Sequence, residues 1–448
     1  MDPRLDMRRF LQDKTAAFEQ HLRAWLSERV RLVAPASYLE VRQAMQSDAP
    51  VVWHPQLTAE ATQTPTCLVR CDVLDELLYA PALLAPDHTV CGPPHCPTHL
   101  LGCQRQAETW VCPRKSCSHT LSVVDWTAAQ WPKQTHYRVV VAKYAQLELL
   151  RDGRSLGNSA AMNRYRLNLL QFNAQLGRLQ QFQPPVAYLL GRSTKSGGTV
   201  EPNCMARAAE VFHHAQLPEA REEVVLTTEL PPPRTDLPQR LQVSLPEWAP
   251  APVEHVVDFE TVSAMDDDFA TFPVSRGCPM IFMIGCARLE QGQWAGFQQW
   301  TAAALVPEEE RRIITEWLAA MSESGPILHW APAEQIMYAA ARKRHPTADW
   351  PETLPWRDAI KLYKHLPLDL PNFKLKHVCA ALAPVLETGW DTEGPSDGES
   401  AMVAAWWCQA HAPDFSTHPL MLAVANYNWT DCRTVFELVR WARSVLAS

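Results

Sequence analysis

A chain of 448 residues, 47% hydrophobic and 20% charged, carries ample apolar material for two or more packed domains, which excludes a disordered chain. Its formal net charge of −8 excludes a general nucleic-acid coating protein, which would be basic. The charge still allows an enzyme that meets a nucleic-acid end through a local patch.

In chain order, the opening MDPRLDMRRF carries charges where a secretory leader needs an apolar core. No apolar run approaches the roughly 20 residues of a membrane helix. The expectation is a soluble intracellular protein, cytoplasmic or nuclear, with no membrane partner. Its 13 cysteines are then free thiols or metal ligands rather than disulfides. Residues 1–225 form the first expected domain. Within it, Cys91-x4-Cys96 and Cys112-x4-Cys117 make two knuckle-like pairs, with His95, His99, Cys103 and His119 among them. Tetrahedral Zn²⁺ on Cys91, Cys96, Cys112 and Cys117 is the simple explanation. Unligated thiols are the alternative, since the spacing is looser than the two-residue knuckle of a zinc ribbon. Next come a strand, HYRVVVAKY, a long helix, MNRYRLNLLQFNAQLGRLQQF, and a second strand, PVAYLLGR.

Proline density across 226–252, including LPPPRTDLPQRLQVSLPEWAPAP, blocks both helix and central strand and reads as a stiff extended linker. Behind it, residues 253–448 are a comfortable single domain. VVDFET, MIFMIGCARL and WAGFQQW are three strands, the last two joined across Gln291 and Gly292. EEERRIITEWLAAM is a helix with Ile313, Ile314, Trp317, Leu318 and Met321 at helical spacing. PILHW is a short strand and AEQIMYAAARKR a helix; LMLAVANYNWTDCRTVFELVRWARSVL is one long helix or two abutting ones. Three strands, helix, strand, helix, then helices is the order of an RNase H-like α/β layer fold, a mixed sheet flanked by helices.

Asp258 and Glu260 stand two apart in the first of these strands and share a face. Two like charges in a half-buried site are costly unless a cation neutralises them. Glu334 follows PILHW at a βα junction, and Tyr427 and Asp431, four apart, share a helical face. Such carboxylates, brought from separate elements, suit Mg²⁺ or Mn²⁺. Two such ions roughly 3.5–4 Å apart clamp the attacking and leaving oxygens of a phosphodiester. A phenol beside them orients the attacking water. Asp358, in WRDAIKLY, is the other candidate for the fourth ligand. Asp266-Asp267-Asp268 reads as a solvated loop. Lys374 and Lys376, with Arg342, Lys343 and Arg344, are the candidate contacts for nucleic-acid phosphates.

Asp258-Phe259-Glu260, the acid after His329-Trp330, and Tyr427-x-x-x-Asp431 resemble the three exonuclease motifs of the DEDD superfamily, in its tyrosine-bearing branch. VDFETV, HWAPAE, NFKLK, DGESAM and YNWTDC are similar to the exonuclease domain fused behind RecB-like nuclease domains in bacteria and large DNA viruses. The resemblance covers about residues 253–448. It implies an RNase H-like domain that cuts DNA or RNA from the 3′ end, most simply a DNA 3′ end. Two metals would be held by Asp258, Glu260, Glu334 and Asp431, with Tyr427 positioning the water. Glu334 stands where most of that superfamily carries Asp.

In the first domain, KYAQLELLRDGRSL and LQFNAQLGRLQQFQPPVAYLLGR resemble the end of a RecB-like PD-(D/E)xK nuclease domain, where an acid lies two residues before a strand lysine. Here Val141 precedes Lys143. The resemblance therefore implies a degenerate α+β domain that has lost its chemistry, with Asp125 a lone remnant. Some such nucleases carry an iron–sulfur cluster, a further alternative for the cysteines. The expected function is a metal-dependent 3′→5′ exonuclease of DNA repair or recombination. The alternative is a catalytically inactive nucleic-acid-binding scaffold.

Overall fold

A computed structural model of the chain describes residues 2–59, 63–70, 73, 104–106, 109–111, 120–122, 136–153, 155–180, 183–184, 186–196, 199–201, 209–212, 232–233, 245–267, 279–321, 325–363, 366, 370, 372–390 and 394–446. It divides into two compact units. One comprises Leu11–Val224 with Asp267–Arg276; the other comprises Val225–Asp266 and Gly277–Ser448 with Met1–Phe10. Cys91, Cys96, Cys112 and Cys117, with the histidines among them, lie outside the described residues, as does Asp125.

In chain order the first elements are α1 (Met7–Ser27), β1 (Leu32–Val33), α2 (Tyr38–Gln46), β2 (Val51–Trp53) and β3 (Cys67–Arg70). Short strands β4 (Gln104–Gln106), β5 (Thr109–Val111) and β6 (Thr120–Ser122) form an antiparallel sheet of their own. Then come β7 (Tyr137–Leu149), α3 (Ala160–Gln180), β8 (Val186–Ser196), β9 (Thr199–Glu201) and β10 (Ala209–Phe212). The main sheet runs β1-β2-β3-β7-β8-β10, with β9 paired to β8. It is mixed: β7 and β8 are parallel, joined through α3, whereas β3 and β10 pair antiparallel to their neighbours.

Strand period explains both faces. Val140, Ala142 and Tyr144 pack in one cluster with Phe18, Leu22 and Leu26 of α1, themselves one turn apart. Val139 and Val141 pack in the other with Leu169, Phe172 and Leu176 of α3. Val141 is therefore a core residue, and no carboxylate stands two positions before Lys143. Nor is Asp267 solvated as its loop suggested. It is 1% exposed and accepts two bonds from Arg192, at 2.7 and 2.9 Å, with the Tyr144 hydroxyl at 3.2 Å. Its backbone carbonyl accepts from Lys14 Nζ at 2.6 Å.

The second unit begins its sheet with β11 (Val253–Val262), β12 (Met280–Glu290) and β13 (Gln293–Thr301), an antiparallel meander. Gln291 and Gly292 both have positive φ, 51° and 74°, as the two-residue turn between right-twisted strands requires. Helix α4 (Pro307–Ala320) leads to β14 (Ile327–His329), and α5 (Ala333–Arg344) to β15 (Trp356–Asp358). Both later strands run parallel to β11, giving the order β13-β12-β11-β14-β15. Helices α6 (Ile360–Tyr363), α7 (Leu375–Leu382), α8 (Gly398–His411) and α9 (Pro419–Leu446) complete the unit. The tail is thus one helix of 28 residues. Trp317 of α4 is fully buried, edge-on to Phe259 of β11 at 5.3 Å. Its burial contributes about 2–3 kcal/mol and fixes which way β11 faces. The molecule is mixed α/β, with two mixed sheets flanked by helices. No helix among the described residues is long and apolar enough to cross a membrane.

Candidate metal centre

With Phe259 turned into the Trp317 cluster, its neighbours Asp258 and Glu260 project from the opposite face of β11. Helix α9 contacts this strand and brings Tyr427 and Asp431, one turn apart. One ligand oxygen from each of Asp258, Glu260 and Asp431 lies within 4.8 Å of the other two. Glu260 and Asp431 are 4% and 8% exposed, so water screens them little. Burial first, and mutual repulsion second, pushes Glu260 up to about 8 and holds Asp258 well above the usual carboxylate range. Burial also pushes Asp431 up to about 6, against the donors that bond to it.

Those donors are neutral. Asn428 Nδ2 donates to Asp258 Oδ2 at 2.7 Å and to its carbonyl at 3.1 Å. The Trp390 indole donates to Asp431 Oδ1 at 2.6 Å, and the Tyr427 hydroxyl also bonds to Asp431. Among the described residues no lysine or arginine makes an ion pair with any of the three acids. Burial, with the neighbouring carboxylates adding to it, holds the Tyr427 phenol protonated, so it acts as a donor and not as a base. Three oxygens of this hardness, converging without an ion pair to lysine or arginine, could hold a divalent cation such as Mg²⁺ or Mn²⁺.

Glu334 reaches the neighbourhood but not the group. It sits in the first turn of α5, 6% exposed, with Oε2 3.3 Å from His329 Nδ1 and without a hydrogen-bond partner. Its charge adds to the repulsion on Asp258, Glu260 and Asp431. The corner that delivers it is built around Ala331, whose φ is 67°. The Ala331 N–H donates to Asp358 Oδ1 at 3.2 Å, and its carbonyl meets the His329 ring. Asp358 Oδ1 also accepts the Ile360 N–H at 3.0 Å. Asp358 is thus engaged in holding this corner and does not join the acids as a fourth ligand.

Of the basic candidates, Lys376 stands beside the centre. Its ammonium lies 5.1 Å from the Trp390 ring centroid and 5.2 Å from that of Tyr427. Desolvation lowers its pKa while Asp431 pulls it up. Lys374 is exposed at the N-cap of α7. Arg344 is engaged elsewhere, pairing with buried Glu310, and Arg342 donates to the Glu352 carbonyl at 3.2 Å. Lys343 is exposed in the last turn of α5.

Sequence reasoning missed Asn428, Gly285, Gln299 and Trp390. Gly285 pairs with Asp258 across β11 and β12, and a Cβ there would sit 2.1 Å from Asn428 Oδ1. That oxygen accepts from Gln299 Nε2 at 2.9 Å, which orients the amide to donate to Asp258. A lone glycine inside the apolar run MIFMIGCARL was the available signal, since it marks close approach by another group. No protein-family model matches the chain, and no curated protein matches it.

Proposed function

We propose that the chain is a metal-dependent nuclease whose C-terminal unit hydrolyses phosphodiester bonds, acting as a 3′→5′ exonuclease on DNA or RNA. The observation that carries this reading is the convergence of Asp258, Glu260 and Asp431 within 4.8 Å, Glu260 and Asp431 buried, with no ion pair to a lysine or arginine among the described residues. A centre so arranged destabilises the empty protein, and a bound divalent ion relieves it. The strand order and the RNase H-like resemblance support the same reading. So does Tyr427, which stands one turn from Asp431.

A divalent ion on the three carboxylates supplies Lewis-acid polarisation of the phosphate and of the attacking water. The chain's own residues do the rest. The Tyr427 hydroxyl orients the water, Asn428 and Trp390 hold the acids, and Lys376 offers positive charge to the substrate backbone. Val141, buried in the apolar core, favours a supporting role for the N-terminal unit, as a degenerate RecB-like fold that holds substrate or partner.

The test is digestion of a 5′-labelled single strand of DNA, then of RNA, with Mg²⁺ or Mn²⁺, by the full chain and by Asp258→Ala. The expected result is a ladder shortening from the 3′ end, at least about 10³-fold slower in the variant. Metal-dependent binding without cutting would instead favour an inactive nucleic-acid-binding scaffold.

A further inference from the structure

Asp258, Gly285 and Gln299 are register partners on β11, β12 and β13, one row straight across the sheet to its edge strand. Two strand spacings put the outer two backbones roughly 10 Å apart, so a third group has to join their side chains. The middle position is glycine, and Asn428 of α9 lies over it: a Cβ on Gly285 would stand 2.1 Å from Asn428 Oδ1. Asn428 is 0% exposed and bridges the row. Gln299 Nε2 donates to its Oδ1 at 2.9 Å and to the Ala425 carbonyl at 3.0 Å. Asn428 Nδ2 in turn donates to the Asp258 carbonyl at 3.1 Å and to Asp258 Oδ2 at 2.7 Å.

The two ends of an amide are alike in size and opposite in polarity, so its partners decide which way it faces. Here a backbone carbonyl, which only accepts, stands at each end of the relay. Ala425 takes an N–H of Gln299, and Asp258 takes an N–H of Asn428. Both hydrogens of each amide are committed, and every bond runs in one direction, from the edge strand toward Asp258. Gln299 supplies the donor for Asn428 Oδ1, deep in the sheet–helix interface. A buried oxygen deprived of its donor costs enough to shift the amide that carries it.

We propose that Gln299 is a positioning residue for the metal centre: acting through Asn428, it holds the Asp258 carboxylate by Oδ2 and so fixes where that acid meets the cation. The proposal rests on the metal reading of the centre and not on the exonuclease reading. Gln299 touches none of the three acids, and its whole effect passes through one amide seated over a glycine.

The experiment measures the Mn²⁺ affinity of the full chain without nucleic acid, by calorimetry, for wild type, Gln299→Met, Asn428→Leu and the double variant. Near-ultraviolet dichroism checks that each folds, and Gln299→Ala replaces Gln299→Met should the latter fail to. Asn428→Leu should weaken Mn²⁺ binding about 10–100-fold, as loss of a group that orients a ligand does. Gln299→Met should weaken it about 10-fold, the lower end of that range, and should add nothing in the Asn428→Leu background. Wild-type affinity in Gln299→Met, or the same further loss on top of Asn428→Leu, overturns the proposal. No Mn²⁺ binding to wild type overturns it together with the metal reading. The expected losses without any cutting of DNA or RNA by wild type overturn the exonuclease reading and support the role of Gln299.

Discussion

Strand β11 carries acids at both ends, and helix α9 meets both, yet the two ends are built oppositely. At the start of the strand, fully buried Glu254 receives Arg443 at 2.6 and 2.9 Å, with Arg357 at 3.9 Å. Near its end, Asp258 and Glu260 receive only amide donors, and α9 adds a third carboxylate rather than an arginine. Buried charges with matched cations hold a fold together. Buried acids of one sign, hydrogen-bonded by neutral groups, raise one another's pKa instead, and the metal proposed above would relieve them.

Breaking the paired end should have the largest effect on stability. Arg443→Met leaves Glu254 buried with Arg357 alone, 3.9 Å away, and should lower the unfolding free energy by about 3–5 kcal/mol. Denaturant titration would measure the loss, while hydrolysis per folded molecule should stay within a few-fold of wild type. The unpaired end should respond with the opposite sign. Glu260→Gln should stabilise the metal-free protein by about 1–3 kcal/mol and abolish its stabilisation by Mn²⁺. A thermal melt in chelator and then in Mn²⁺ reads both.

The last expected effect is the pH dependence of the unpaired end. Folded Glu260 holds its proton until about pH 8, whereas the unfolded chain releases it near the ordinary value of about 4.5. The unfolded state therefore binds fewer protons between these values. This contribution is fully present below that range and fades as pH rises through it. In chelator, the gap in melting temperature between Glu260→Gln and wild type should widen from pH 5 to pH 8. A gap that stays constant would mean the acid is not desolvated as its burial implies.

Much of this contrast was legible in the sequence wherever a local period expresses it. Asp258 and Glu260 share a face because strands repeat every two residues, and Tyr427 and Asp431 because helices repeat every 3.6. What was illegible depends on approach through space. The roles of Asn428 and Gly285 exist only where α9 crosses β12. Asp267 read as solvated because Arg192 lies 75 positions away. Helix α8 shows no one-sided apolar stripe, since Ala401, Val403, Ala404, Ala405, Trp406 and Cys408 are all buried, so period gave no sign of it. Strand β15 is only three residues long, and its Asp358 looked like a ligand because nothing local marks the Ala331 corner it holds.

Helix α9 also acts as a spacer of fixed length. Twelve positions separate Asp431 from Arg443, about 18 Å of helix, and the Glu254 clamp pins one end. One residue inserted between them would rotate Asp431 by about 100° about the axis and carry it away from Asp258 and Glu260. Substitutions on the outer face of this stretch leave that geometry alone. Drift in this part of the chain is therefore constrained by counting as much as by chemistry: residues may be exchanged, but not added or removed.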